Sequence, residues 1–234
     1  MAEEDEPDPN IQKAFMFAKY GEKLEFEALM NDSEVNFDVN QVDDHKFTVL
    51  SWSCRNGHAR MVEYLLTVGA NTEWTDSHGM RPIHHACNNN QEAVTRLLLG
   101  AGVQVDSVDN SGNTGLIYAA SRGILNLVLQ LIEAKGDLKA TNKADQTALH
   151  KAVIGGHIGI VRNLIEKGCD PNQQDKEGTT PMHIAARTGH VDVFKLMLAG
   201  GGRIDINNRE GKSAYFYAQK HKTLALLVVK SDAE

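Results

Sequence analysis

The sequence of 234 residues lacks the features that mark a secreted or membrane protein. Its three cysteines (Cys54, Cys87 and Cys169) have no Cys-x-x-Cys spacing, which argues against a disulfide framework and indicates a reducing compartment. No apolar run approaches the roughly 20 residues that a membrane-spanning helix needs. The N-terminus is acidic, whereas a signal peptide begins with basic residues. We therefore expect a cytoplasmic protein, with the nucleus as the alternative location, and no membrane association.

Motifs that carry catalysis are also missing. The sequence has no Gly-rich phosphate loop, no nucleophile elbow and no His-Glu-x-x-His, so we expect no enzyme, no cofactor and no small-molecule substrate. The formal net charge is −7. Such an acidic chain is not expected to seek nucleic acid or anionic lipid.

What the sequence does contain is an internal repeat with a period of 33 residues. No insertion or deletion disturbs the period from Asp43 to the C-terminus. Because each copy must meet its neighbours in the same geometry, the period predicts a solenoid rather than a globule around an active site. One position of the repeat is occupied in successive copies by Thr48, Arg81, Thr114, Thr147, Thr180 and Ser213.

The period also predicts the domain organisation. Residues 1–9, with five acids and two prolines, are expected to form a disordered acidic tail. A degenerate N-terminal capping repeat and a shortened C-terminal one are expected to differ from the rest because their outer faces meet solvent. The predicted repeats are 10–42, 43–75, 76–108, 109–141, 142–174, 175–207 and 208–234.

Each repeat predicts a turn followed by two helices. In the best copy, Asp175 favours local backbone hydrogen bonds and Gly178 permits a positive φ, which together indicate a turn. Thr180-Pro181 then predicts a helix start, with the hydroxyl as N-cap. The first helix is expected to end at Gly189 in a left-handed conformation, before a second helix with paired apolar residues.

The period and its motifs resemble ankyrin repeats over about residues 10–230. This resemblance implies an all-α repeat solenoid of helix-turn-helix units joined by β-hairpin-like turns. Two repeats depart from the central motif, with Thr48-Val-Leu-Ser51 and Thr114-Gly-Leu-Ile117. The copies that carry the motif are Arg81-Pro-Ile-His84, Thr147-Ala-Leu-His150 and Thr180-Pro-Met-His183, with Gly-His pairs at 57–58, 156–157 and 189–190.

Six of the ten histidines occupy periodic positions, which spreads them along the stack instead of gathering them into a metal site. The resemblance implies that the motif histidines are structural clamps between repeats, and we expect no metal. Cys54 and Cys87 occupy equivalent positions in neighbouring repeats. They are interpreted as small buried residues, with a reactive thiol or a shared metal site as the alternatives.

The resemblance further implies a concave surface, built from the turn tips and the first helices, to which partner proteins bind. The positions of this surface include nine basic and three acidic residues, which give it a charge of about +6 in a chain whose net charge is −7. This segregation predicts a partner with an acidic surface. The residues predicted to contact it are His45, Phe47, Trp52, Arg55, His78, Met80, His85, Tyr118, Arg122, Lys143, Lys151, Lys176, Arg187, Arg209 and Lys212.

Trp52 and Tyr118 are expected to be aromatic anchors. The sequence as a whole thus predicts a monomeric, non-catalytic scaffold or adaptor for protein–protein interactions. More specific alternatives are a proteasome regulatory-particle assembly chaperone of the gankyrin type, a cytoskeletal or ciliary adaptor, and a kinase or transcription-factor inhibitor. We do not expect nucleic acid to bind in the basic groove, because the chain as a whole is acidic and has no recognition module.

Overall fold

The structure, a computed structural model, describes residues 9–221 together with 224 and 225. Residues 1–8 of the predicted tail, and residues 222–223 and 226–234 of the last predicted repeat, lie outside the described residues. The first helix begins at Pro9, the last residue of the predicted tail. Proline suits this place, since the first residues of a helix need no N–H donor.

The predicted all-α repeat architecture is confirmed. Within the described residues, strand pairing is limited to two isolated bridges, and no helix is long and apolar enough to span a membrane. The helices are α1 (Pro9–Tyr20), α2 (Lys23–Met30), α3 (Val49–Asn56), α4 (Ala59–Thr67), α5 (Pro82–Asn88), α6 (Glu92–Gly100), α7 (Gly115–Arg122), α8 (Leu125–Glu133), α9 (Ala148–Ile154), α10 (Ile158–Glu166), α11 (Pro181–Thr188), α12 (Val191–Ala199) and α13 (Ala214–Ala218).

The helices form two compact units that divide after Asn110. In the N-terminal unit, the first helices α1, α3 and α5 pack side by side, and the second helices α2, α4 and α6 form another row. In the C-terminal unit, α7, α9, α11 and α13 make the first row, and α8, α10 and α12 make the second. The buried apolar side chains of each unit come from both rows.

The predicted helix starts are confirmed by their hydrogen bonds. The side chain of each capping Thr or Ser accepts a hydrogen bond from a backbone N–H in the first turn. Arg81, the predicted exception, makes no such bond. Its own backbone N–H instead donates to Nδ1 of His84, at 2.9 Å.

The turns between repeats are hairpin-like and are joined to one another. In one turn, Asp175 N–H donates to the Thr179 carbonyl, and the Asp175 carboxylate accepts from the backbone N–H groups of Glu177 and Thr179. The tips of neighbouring turns are joined by backbone hydrogen bonds; for example, Arg209 N–H donates to the Glu177 carbonyl at 3.0 Å. Asp145 holds a left-handed conformation, with a φ of 56°, where the next turn has Gly178. The turn tips therefore have fixed positions.

The motif histidines bridge the backbone as expected for clamps. In His150, Nδ1 lies 3.2 Å from the backbone nitrogen of Thr147, and Nε2 lies 3.2 Å from the carbonyl of Thr179 in the next repeat. An N–H can only donate and a carbonyl can only accept, so Nδ1 is the acceptor and Nε2 carries the proton. The matching Nε2 contacts are His183 to the Lys212 carbonyl at 3.1 Å and His84 to the Ser107 carbonyl, within its own repeat, at 2.8 Å.

A second joint places an imidazole against a left-handed glycine of the preceding repeat. His157 Nε2 lies 3.3 Å from the Ser121 carbonyl, and its ring covers Gly123. A Cβ added at Gly123 would lie 2.6 Å from this ring. His58 covers Gly21 in the same way, and Gln91 covers Gly57. Glycine is thus required here by its left-handed φ and by the side chain that covers it.

We predict that Gly123→Ala destabilises the protein more than Gly168→Ala. Both residues have positive φ, 78° and 90°, so both alanines bear a strain of roughly 1–2 kcal/mol. Only the new methyl group at 123 meets a neighbour, because nothing lies within 4 Å of a Cβ at 168. The overlap with His157 should add roughly 1–3 kcal/mol to the cost, measured by urea unfolding followed by circular dichroism.

The control for this prediction removes the ring. In a His157→Ala background, Gly123→Ala should cost no more than Gly168→Ala, because the overlap has gone. Equal costs for the two alanines in the unmodified chain would show that the covering side chain does not constrain the glycine.

We also predict that the protein loses stability as the pH falls below about 6.5, the ordinary histidine pKa. Burial lowers the pKa of His84, His150 and His183, so in this range the folded chain binds fewer protons than the unfolded chain. Each histidine then contributes a loss of up to about 1.4 kcal/mol per pH unit. Urea unfolding at pH 7 and pH 5 measures it. His150→Gln should reduce the slope, and an unchanged slope would contradict the assignment.

Candidate protein-binding surface

In the N-terminal unit, the predicted anchor Trp52 is half-buried and fixed by Asp43. The indole N–H donates to Asp43 Oδ2 at 2.7 Å. The other carboxylate oxygen accepts from the backbone N–H groups of His45 and Phe47, each at 2.9 Å. The residue that closes the turn therefore also orients the indole, and Trp52 presents a ring face rather than its N–H.

Two of the predicted contact residues lie beneath the surface. Phe47 and His85 are only 7% and 3% exposed. The Phe47 ring centroid is 4.8 Å from that of Trp52 and 4.7 Å from that of His85. Phe47 packs against the indole, and His85 packs against Phe47, so both are buried where the prediction expected direct partner contact. Together they support the indole.

His85 is also tied to the preceding turn. Its Nε2 lies 3.1 Å from Asp76 Oδ2, and both side chains are almost fully buried. Burial lowers the pKa of His85 to about 4, although the Asp76 carboxylate acts in the opposite direction. The imidazole is therefore neutral at neutral pH and supports the surface without adding charge to it.

Two cations flank the indole. Lys19 Nζ lies 5.1 Å from the Trp52 ring centroid, and Arg55 Cζ lies 5.5 Å from it. Arg55 is one of the predicted contact residues and is exposed. Lys19 was missed because it lies in the degenerate first repeat, which lacks the central motif. The period does point to it, since Lys19 stands 33 residues before Trp52.

Two open clefts border the indole, one on the side of α1 and one toward the next turn. The first has a volume of about 300 Å³ and is lined by Phe15, Met16, Lys19, Asp43, Asp44, His45 and Trp52. The second has a volume of about 310 Å³ and is lined by Asp44, His45, Lys46, Phe47, Trp52, Arg55, Ser77 and His78. His45 and His78 are exposed as predicted, whereas Met80 is half-buried.

In the C-terminal unit, the predicted bases are mostly exposed at the turn tips and helix ends. Tyr118, Lys151 and Lys212 are half-buried. The exposed members of the predicted set in this unit are Arg122, Lys143, Lys176, Arg187 and Arg209.

The charge on this second surface is more mixed than the predicted tally. Lys212 Nζ lies 2.7 Å from the Glu210 carboxylate, which lowers the pKa of Glu210 and raises that of Lys212. A cleft of about 270 Å³ has three carboxylates in its lining, those of Asp175, Glu177 and Glu210, beside Arg187. The lining of this cleft therefore has more acids than bases, whereas Lys143, Lys176 and Arg209 are exposed at the turn tips, beside the exposed Glu177 and Glu210.

Metal-ligating side chains are not gathered into a cluster, and the thiols are buried, in the part of the chain that the structure describes. Among the described residues, no cluster of three or more His, Cys, Asp or Glu side chains has a metal-binding arrangement. The three cysteines are buried, and burial raises the pKa of each thiol, to about 12 for Cys87 and about 11 for Cys169. Buried thiols of this kind favour the interpretation of Cys54 and Cys87 as packing residues.

Solved structures with a similar fold are ankyrin repeat domains. The domain of Bcl-3, described as a unique member of the IkappaB family, has a TM-score of 0.81 and 20% identity, covering 92% of this chain and 97% of its own. The human ASB11 domain has a TM-score of 0.81 and 24% identity, with coverages of 93% and 96%. A domain from Acinetobacter baumannii has a TM-score of 0.73 and 26% identity, with coverages of 82% and 98%.

Sequence comparison gives the family. No curated protein sequence matches the chain significantly. A family model described as ankyrin repeats matches three overlapping segments, 14–109, 89–175 and 160–234. These segments include every helix from α3 onward and the histidine bridges described above. The chain belongs to the ankyrin-repeat family.

Proposed function

We propose that the protein is a non-catalytic scaffold or adaptor that binds an acidic surface of another protein through its turn tips and first helices. Ankyrin repeats generally mediate protein–protein interactions. The observation that supports an acidic partner is a row of cations in the C-terminal unit. Lys143, Lys176 and Arg209 occupy equivalent positions of successive turns and are exposed.

The row is held in register by the backbone. The N–H groups of these three residues donate to carbonyls of the preceding tips, those of Ser111, Ala144 and Glu177. In the described part of the chain, none of the three cations has a carboxylate within 4 Å. Cations at fixed, repeated positions suit a partner with a matching series of carboxylates. We propose that a monomer presents this row in the cytoplasm.

A nucleic acid is the less suitable polyanion. The chain has a net charge of −7, and the neighbouring cleft has the carboxylates of Asp175, Glu177 and Glu210 in its lining. The evenly spaced phosphates of a nucleic acid would be repelled by these carboxylates. A protein surface can instead have acidic residues only at the positions opposite the cations.

We predict that reversing two charges of the row, Lys176→Glu with Arg209→Glu, lowers the association rate of the partner by about tenfold at low salt. Affinity capture from native extract followed by mass spectrometry identifies the partner, and biolayer interferometry at several salt concentrations gives the rates. The control is Arg162→Glu with Lys195→Glu, which makes the same charge change at exposed positions of α10 and α12. It should leave the rate within about twofold.

Equal binding of the two variants would contradict the assignment of the row. The captured protein also separates the specific roles. A regulatory ATPase subunit of the proteasome would support an assembly chaperone of the gankyrin type, whereas a tubulin-associated or ciliary protein would support the cytoskeletal alternative.

A further inference from the structure

We propose that the N-terminal unit has a socket for a partner segment in which an apolar side chain adjoins a carboxylate. The socket consists of Trp52, the flanking cations Lys19 and Arg55, the support Phe47 and the apolar wall Met16. This inference rests on the proposed function, because it requires a protein partner. It adds the chemistry of the segment that the N-terminal unit recognises.

The indole is arranged before any partner arrives. Its N–H is bonded to Asp43 at 2.7 Å, and Phe47 packs against it at a centroid distance of 4.8 Å. Little conformational freedom remains to be lost on binding, which favours affinity. Aromatic side chains of this kind often dominate the binding energy of a protein interface.

The cations decide which charge the socket accepts. Lys19 and Arg55 already lie over the ring, at 5.1 and 5.5 Å from its centroid, so a third cation would be repelled. In the part of the chain that the structure describes, neither has a carboxylate within 4 Å. The Asp43 carboxylate accepts three N–H donors, and Asp44 is exposed. A partner carboxylate can therefore pair with either cation.

The shape adds an apolar requirement. The cleft on the α1 side has about 300 Å³ of space and is bordered by Trp52 and by Met16, whose surface is 55% exposed. An aliphatic or aromatic side chain inserted there would remove both apolar groups from water. Its neighbour in the segment would then lie beside Lys19 or Arg55. The segment thus needs adjacent apolar and acidic residues.

A peptide fits these features better than the other occupants. A nucleic acid would place successive phosphates near Asp43 and Asp44, which border the same cleft. A second copy of the chain would need a large apolar contact, whereas one methionine and one indole make a small patch. A short acidic segment needs only one or two carboxylates and one apolar side chain.

The test uses the full chain to select binders from a displayed library of random peptides. The selected peptides should carry Asp or Glu next to a Leu, Phe or Trp. A synthetic fluorescent copy of the strongest binder then gives affinities by anisotropy. Trp52→Ala should weaken binding at least tenfold, roughly the loss seen for an aromatic hot spot. Lys19→Gln with Arg55→Gln should weaken it about threefold to tenfold and flatten its salt dependence.

The matched control is Lys13→Gln with Arg60→Gln, which removes one lysine and one arginine at exposed positions of α1 and α4. It should leave the affinity unchanged. Trp52→Phe keeps a ring and should retain most of the affinity, and thermal melts check that each variant folds. Selected peptides without acidic residues, or equal affinities for the cation pair and its control, would overturn the proposal.

Two further measurements would overturn it in favour of other occupants. These are binding of single-stranded RNA that Trp52→Ala abolishes, and a concentration-dependent dimer, seen by sedimentation, that Trp52→Ala dissociates. The socket and the general proposal fail separately. If the captured partner depends on Lys176 and Arg209 but not on Trp52, the scaffold stands and the socket does not.

Discussion

The repeats depend on a neutral imidazole that uses both of its nitrogens. In His150, one nitrogen accepts from the start of its own helix and the other donates to the next turn, at Thr179. A charged imidazole has two donors and no acceptor, so it cannot make this bridge. Burial lowers the pKa of the ring and so keeps it neutral at neutral pH. For His150 and His183, the position of the next turn follows from this bond and from the backbone bonds between tips.

This arrangement divides the residues of a repeat into two groups. The motif histidines, the left-handed glycines and the capping hydroxyls are occupied by the joints and have little capacity left for a partner. Among the described residues, the side chains of Lys176 and Arg209 have no carboxylate within 4 Å, yet their backbones are bonded to the neighbouring tips. Trp52 belongs partly to both groups, because its indole N–H is hydrogen-bonded to Asp43 while a face of the indole ring is exposed to solvent. Recognition can therefore change while the stack remains the same.

The repeat predicted the fold well because its signals are local. Thr180, Gly189 and their copies act on the backbone of the helix that they begin or end, so their positions in the sequence were sufficient to predict the helix ends. The surface was less predictable, since it depends on which side of a helix lies under a neighbouring ring. His84 and His85 are adjacent and both buried, the first in a clamp and the second against Asp76 and Phe47. The pairing of Lys212 with Glu210 likewise depends on side-chain conformation within a turn.

The glycine joint has a direction, since the later repeat always supplies the covering side chain. Gly123 lies under His157, and Gly57 lies under Gln91. After α5 the left-handed position is held by Asn90 instead of glycine, and the sequence has Ile124 where the following repeat has His157. The residue at the left-handed position and the side chain that covers it must therefore fit each other. A repeat that is transplanted into another array must bring a covering side chain that fits the left-handed residue of the repeat before it. The repeat after the transplant must in turn have a covering side chain that fits the left-handed residue of the transplant.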